Sequence, residues 1–215
     1  MSKKTEIILK EGYPFIGTTG LVFLISILFR FDTFWQIFWL VIFGFMVYFF
    51  LNPERVSDED GEDVVVSPAD GEIIEIVETT ERFFTNQNMI NISIRLGLLD
   101  NHIQRVPIQG ILKESSYIHG EFLSLNSDKA SELNEQNRTL FENNRFSVVT
   151  NQIAGFITRR IVNFIPEGQV RVSQRYGMIM FGSQVDIYVP KDITLKVIVG
   201  EELKAGESLI GFIRG

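Results

Sequence analysis

The 215-residue sequence contains no cysteine. Disulfides, thiolate nucleophiles and cysteine-ligated zinc are therefore excluded. Histidine is almost as scarce: with only His102 and His119, a multi-histidine metal site is not expected and no metal is assigned. Basic clusters are missing too. Twenty Lys and Arg stand against 27 Asp and Glu, a formal net charge of −7, which disfavours a nucleic-acid partner. Long amphipathic helical periodicity is also absent.

What is present is unevenly distributed. Many of the 19 Phe fall between Phe15 and Phe50. Two uncharged runs, YPFIGTTGLVFLISILF (13–29) and TFWQIFWLVIFGFMVYFFL (33–51), are separated only by Arg30, Phe31 and Asp32. A helix needs about 20 apolar residues to span the hydrocarbon core, so the second run is long enough and the first is marginal. A transmembrane helical hairpin over 1–51 is expected. Lys3, Lys4 and Lys10 precede the first run, so the positive-inside rule holds the N-terminus in the cytoplasm and two crossings return the chain there. The remainder should sit at the cytoplasmic side of the cell membrane. A cleaved signal peptide is the competing reading, but no small-residue cleavage pattern follows the first run.

After Leu51 the composition changes. NPERVSDEDGED is acidic and turn-rich, and a linker is expected over 52–62. From 63 to 215 short β-type runs recur between Gly, Pro, Asn and Asp: 63–77, 88–96, 102–118, 145–150, 157–165, 178–190 and two more near the C-terminus. This pattern predicts a mainly β fold, a compact sandwich or barrel. The polar stretch 125–144 reads as a surface loop with a helical turn. SPADGEIIEI and VGEELKAGESLIGFI look like the turn-and-strand elements of lipoyl and biotinyl domains, which adds a barrel-sandwich hybrid character.

The run MIMFGSQVDIYVP (178–190) raises a chemical question. It reads as one strand, yet Gly182 brings no side chain and Ser183 beside it adds a hydroxyl where Val or Ile would pack. In the plain reading the pair marks a bulge. In the other, a Gly-Ser bond left unshielded by the missing Cβ is a site of chemistry on the chain itself.

FFLNPER, SPADGEI, DNHIQRVPIQGIL, SELNEQN, NQIAGFITRRIV, RYGMIMFGSQVDIYVP and VGEELKAGESLIG occur in that order. Together they resemble the short-chain phosphatidylserine decarboxylases of bacteria and archaea, from Phe49 to Gly211. The resemblance implies self-cleavage between Gly182 and Ser183 into 1–182 and 183–215, which remain together as a heterodimer; its further self-association is left open. By resemblance the Ser183 hydroxyl attacks the Gly182 carbonyl, β-elimination releases the first piece, and the new N-terminus becomes a pyruvoyl group. That ketone forms a Schiff base with the substrate amine and accepts the electrons released as CO2 leaves, so neither pyridoxal phosphate nor metal is implied. The substrate is then phosphatidylserine in the membrane, or its archaeal ether-lipid equivalent, and the product the ethanolamine lipid.

Matching motif by motif, Asp70 in SPADG and His102 in DNHIQRVP join Ser183 as catalytic residues. Arg105, Arg138, Arg159 and Arg160 are candidates for substrate binding. The chain departs from the similar proteins in four places: Arg105 stands where longer members carry a second His, Met180 and Gln184 replace the two Arg of RFGSR, and Gln136 replaces an Arg in SELNEQN. Since Arg is the favoured bidentate partner of phosphate, these replacements bear on headgroup contacts. The rival reading is a membrane-anchored, non-catalytic lipoyl-like β module, which leaves Gly182-Ser183 as coincidence.

Overall fold

The computed structural model describes residues 6–59, 61–123, 133–155, 160–181 and 183–213. Gly182 and Arg159 lie outside them, as do residues 125–132 of the polar stretch read as a loop. The chain divides into two compact units, Met1–Glu54 and Arg55–Gly215.

The first unit holds a 3-10 turn, Lys10–Gly12, and two helices, α1 (Tyr13–Leu28) and α2 (Thr33–Phe49). Pro14 lies in the first turn of α1, where its missing N–H costs nothing. Asp32 starts α2 by accepting the Phe34 N–H at 3.0 Å. The ends of the unit are tied together: Leu9 N–H donates to Phe50 O at 3.0 Å, and Asn52 N–H to Ile7 O at 2.9 Å. Among the described residues one helical stretch, Lys10–Leu28, is long and apolar enough to cross a membrane; α2 is apolar but has 17 residues. The 3-10 turn thus lengthens the first segment, whereas the second stops at Phe49. Leu21, Leu24, Leu28, Phe34 and Val41 are all exposed, an apolar surface that water does not favour.

The second unit is built from fourteen strands among the described residues. Eight form one antiparallel sheet: Glu202–Leu203 (β13), Gly71–Glu81 (β2), Gln87–Leu96 (β3), Ser183–Pro190 (β11), Ser147–Ala154 (β7), Gln136–Glu142 (β6), Gly110–Ile118 (β5) and Gly168–Val170 (β9), in that spatial order. A second sheet joins Val64–Val66 (β1), Leu209–Ile213 (β14) and Ile193–Leu195 (β12). The third joins Ile103–Arg105 (β4), Arg175–Ile179 (β10) and Ile161–Asn163 (β8).

Alternation explains the main core. Val185, Ile187 and Val189 of β11 share a face with Ile92, Ile94 and Leu96 of β3 and with Val148 of β7, all buried. Full burial of side chains of this size contributes roughly 1.5–3 kcal/mol each, so this face supplies much of the sheet's stability. The third sheet lies over the same face. Tyr176 of β10 donates its hydroxyl to Thr150 Oγ1 at 3.0 Å and meets the Phe141 ring edge-on at 5.2 Å.

Four elements differ from the sequence expectation, one of them the run 102–118, which divides into β4 and β5 in different sheets. The run 178–190 is not one strand: it splits into β10 and β11, which belong to different sheets. Phe181, between them, adopts a left-handed backbone with φ 59°. Such a conformation is costly for a bulky residue and marks a forced change of direction. The 63–77 run is likewise divided, into β1 and β2, by the SPAD turn. Finally, the stretch 125–144, expected as a loop, contains β6, whose Gln136, Asn137 and Thr139 are fully packed. Polar composition misled there because this strand hydrogen-bonds through buried amides.

Candidate active site

Ser183 opens β11, in register with Leu96 on one side and Ala154 on the other. Its side chain is fully buried, and its hydroxyl has no hydrogen-bond partner among the described residues. A buried unpartnered hydroxyl is costly and calls for an explanation. Its position supplies one: it directly follows the turn at Phe181, where the backbone is strained.

Asp70 reaches the same end of the sheet by a different route. Ser67 Oγ donates to Ala69 O at 2.7 Å and closes the SPAD turn. Gly71 then enters β2 with φ 131° so close to β3 that a Cβ there would lie 2.2 Å from Arg95 O. Only glycine fits that approach. Arg95 and Leu96 end β3, and Leu96 pairs with Ser183. The Asp70 carboxylate accepts Ala205 N–H at 2.8 Å, Asn101 N–H at 3.3 Å and Arg55 Nη2 at 2.9 Å, with Arg55 Nη1 on its other oxygen. Burial by itself would lower the Arg55 guanidinium, but the hydrogen bond and charge of Asp70 outweigh it and hold the pKa above its ordinary value.

His102 is next to the Asn101 that Asp70 holds. Its carbonyl accepts Ile179 N–H at 3.2 Å, which sets it against the end of β10, four residues before Ser183. The ring is buried, and its Nδ1 lies 2.7 Å from Asp100 O. A carbonyl only accepts, so Nδ1 carries the proton and the lone pair of the neutral ring falls on Nε2. Burial pushes the His102 pKa below its ordinary value, against the opposing pull of the Asp100 carbonyl and of the Asp100 and Asp70 charges. The result is a neutral imidazole suited to accept a proton near neutral pH.

The structure thus brings Asp70, His102 and Ser183 to one end of the β unit. The arginines are distributed: the Arg105 backbone N–H donates to Pro68 O at 2.9 Å, beside the Asp70 turn, and Met180 N–H to Arg160 O at 3.2 Å, close to Ser183. Arg105 is buried, with Nη1 donating to Ser173 O at 2.9 Å. Arg138 bonds Gln136 Oε1 at 3.1 and 3.3 Å and stacks 4.8 Å over the Phe83 ring, on the sheet face opposite Ser183. Arg160 is exposed, and Arg159 lies outside the described residues. A surface cleft of about 390 Å³, lined by Glu62, Gly110, Glu142, Asn143 and Gln169, sits at the far end of the sheet and includes none of the candidate residues.

Sequence reasoning passed over Arg55. It is the one cation in an otherwise acidic segment, 52–63, and that isolation was the available signal. It also passed over the amides that hold the His102 segment. Gln104 Nε2 donates to His102 O, Gln152 Nε2 to Gln104 Oε1, and Asn137 Nδ2 to Gln152 Oε1, each at 2.9 Å.

The chain is similar in sequence to known proteins. The family model described as phosphatidylserine decarboxylase matches residues 42–211. The chain is 41% identical to the phosphatidylserine decarboxylase proenzyme of Syntrophus aciditrophicus over 97% of its own length and 99% of the relative's. It is 38% identical to the proenzyme of the same name from Geotalea uraniireducens, over 99% and 100% of the two lengths. For that of Ehrlichia chaffeensis the identity is 39%, over 95% and 91%. The chain therefore belongs to the phosphatidylserine decarboxylase family.

Proposed function

We propose that the protein is a self-processing decarboxylase that converts phosphatidylserine, or an ether-lipid equivalent, to the ethanolamine lipid and CO2. The observation that carries this reading is Ser183: a buried, unpartnered hydroxyl directly after a strained turn, within a sequence whose relatives are named proenzymes.

In the first stage a base removes the Ser183 proton and Oγ attacks the Gly182 carbonyl carbon. The C–N bond breaks, leaving an ester and a free amine on residue 183. Loss of the residue 183 Cα proton then expels the Gly182 carboxylate. Water replaces the nitrogen, ammonia leaves, and residue 183 ends as a ketone. His102, neutral and with its lone pair on Nε2, is the group here able to take a proton. Asp70 acts at one remove: with Arg55 it anchors the Asn101–His102 backbone, and its charge favours a protonated His102 once the proton has been taken.

A pyruvoyl group at residue 183 supplies an electrophilic ketone that engages the substrate amine and draws electrons away as CO2 leaves. The protein fits such a group, because residue 183 is shielded from water and followed by rigid strand. His102 would return a proton to the product carbon. Arg105, Arg138, Arg159 and Arg160 remain proposals for headgroup contact; Arg160 is exposed. The two cleavage products stay together because β11 is sandwiched between β3 and β7 of the larger piece.

The same reading makes the two apolar helices a transmembrane hairpin that places the β unit on the cytoplasmic side, and divides the chain into an anchor, a short linker and a catalytic domain. Tethering suits a substrate that never leaves the bilayer, since it raises the local concentration. The lipoyl-like character of the domain is supported by the pairing of the two similar segments, Glu202 with Glu72 and Leu203 with Gly71. Decarboxylation of phosphatidylserine in vesicles by the purified chain, with activity abolished by Ser183→Ala, tests the proposal. Equal activity of the Ser183→Ala chain would defeat it.

A further inference from the structure

Glu135 is a buried acid to which none of the chemistry above gives a role. It is 7% exposed, and its Oε1 has no hydrogen-bond partner among the described residues. A carboxylate oxygen kept from water with no donor is expensive, which makes it a candidate for a ligand's donor.

Its place in the sheet is informative. Ala154 N–H donates to Glu135 O at 2.9 Å, and Ala154 pairs with Ser183. The register of β6 on β7, Gln136 opposite Ile153, puts Glu135 opposite Ala154. Glu135, Ala154 and Ser183 therefore form one row across the sheet, with their side chains on the same face. Two strand spacings separate the first from the last, about 10 Å between Cα atoms, a gap that a glutamate side chain and a bound amine together span. Tyr117 holds the carboxylate in place. Its phenol hydrogen-bonds to Glu135, and burial, that bond and the Glu135 charge push the Tyr117 pKa up against the opposing pull of the Arg160 charge, so it stays a donor. The Tyr117 ring is 42% exposed and stands edge-on to His119 at 5.1 Å, so the pair runs from solvent to buried carboxylate.

We propose that Glu135, positioned by Tyr117, binds the ammonium group of the lipid headgroup and delivers its nitrogen to residue 183. This rests on the function proposed above. The headgroup is the occupant that the site's chemistry selects: a primary ammonium offers three N–H donors, and the substrate must bring one to residue 183. A metal ion is a poorer match, because no group of three His, Asp or Glu side chains lies together among the described residues.

The test compares two soluble headgroups, glycerophosphoethanolamine and its counterpart with a hydroxyl in place of the amine. Binding is measured by calorimetry on processed enzyme whose residue 183 ketone has been reduced with borohydride, so only non-covalent recognition is read. Intact mass first establishes that cleavage has occurred; an uncleaved wild-type chain would overturn the proposed function itself, separately from this inference. In the parent the amine should bind more tightly than the hydroxyl compound. Glu135→Gln should weaken the amine at least about tenfold, the scale of a lost charge-assisted hydrogen bond, and leave the hydroxyl compound within about twofold. Tyr117→Phe should show a smaller loss of the same selectivity. Equal losses for both compounds, or no change for either, would overturn the assignment. If Glu135→Gln fails to fold or process, Glu135→Asp decides: retained preference for the amine supports the proposal, and loss of that preference refutes it.

Discussion

Asp186 provides a quantitative check on the packing of the β unit. It is 3% exposed on the face of β11 opposite Ser183, accepts Gln184 Nε2 at 2.8 Å, and also bonds Ser93. Burial pushes its pKa up to about 6, only partly offset by those two hydrogen bonds. The folded state therefore favours the protonated acid more than the unfolded chain does. Between the unfolded pKa, about 3.9, and the folded one the native state binds more protons, so this group's contribution falls as pH rises through that window. Roughly 2 units at 1.36 kcal/mol each give a cost of about 3 kcal/mol, fully present above about pH 7. Asp186→Asn removes the titration while keeping the shape. Its unfolding free energy, relative to the parent, should rise by roughly 2–3 kcal/mol from about pH 4 to about pH 8. Urea unfolding of the single-chain Ser183→Ala protein in detergent, in both backgrounds, measures this. Both tryptophans lie in α2, so far-UV circular dichroism of the sheet is the signal to follow. A difference that is flat with pH, or that falls as pH rises, would refute the buried-acid reasoning.

Other outcomes follow from the same geometry. Arg55→Met leaves the Asp70 carboxylate without its cation and should destabilise the β unit by about 3–5 kcal/mol, whereas Arg55→Met with Asp70→Asn should recover part of that loss; urea midpoints separate the cases. A fragment beginning at Arg55 should fold and cleave itself but turn over vesicle lipid poorly, while one beginning at Asp63 lacks Arg55 and should be less stable by a similar margin, read by mass and thermal melting. Gln184→Arg places a cation beside Asp186 and should lower its pKa, flattening the pH dependence of stability described above.

The broad fold was legible because apolar alternation is a direct record of burial. Val185, Ile187 and Val189 announced β11, and SPADGEIIEI announced a turn entering a strand. The split between β10 and β11 was not legible, because strand-like residues lie on both sides of Gly182-Ser183 and the pair reads equally well as a bulge within one strand; the backbone at Phe181 reveals the change of sheet. The strand β6 was hidden for the opposite reason. Its inward side chains are Asn137, Thr139 and Phe141, and the polar ones are satisfied by partners such as Gln152 on the paired strand β7 and Asn163 on β8 of another sheet, pairings that no local pattern encodes. For the site, residue types pointed to Ser183 and His102, since few side chains do their chemistry. Arg55 and Glu135 escaped because their significance lies in what they face, Asp70 in one case and the row that ends at Ser183 in the other.

The most direct measurement is the intact mass of the purified protein. Self-processing predicts two polypeptides, residues 1–182 and 183–215, the smaller with a blocked N-terminus that resists Edman degradation, and a single uncleaved chain for Ser183→Ala. A wild-type chain that remains whole while releasing CO2 from phosphatidylserine would contradict the account.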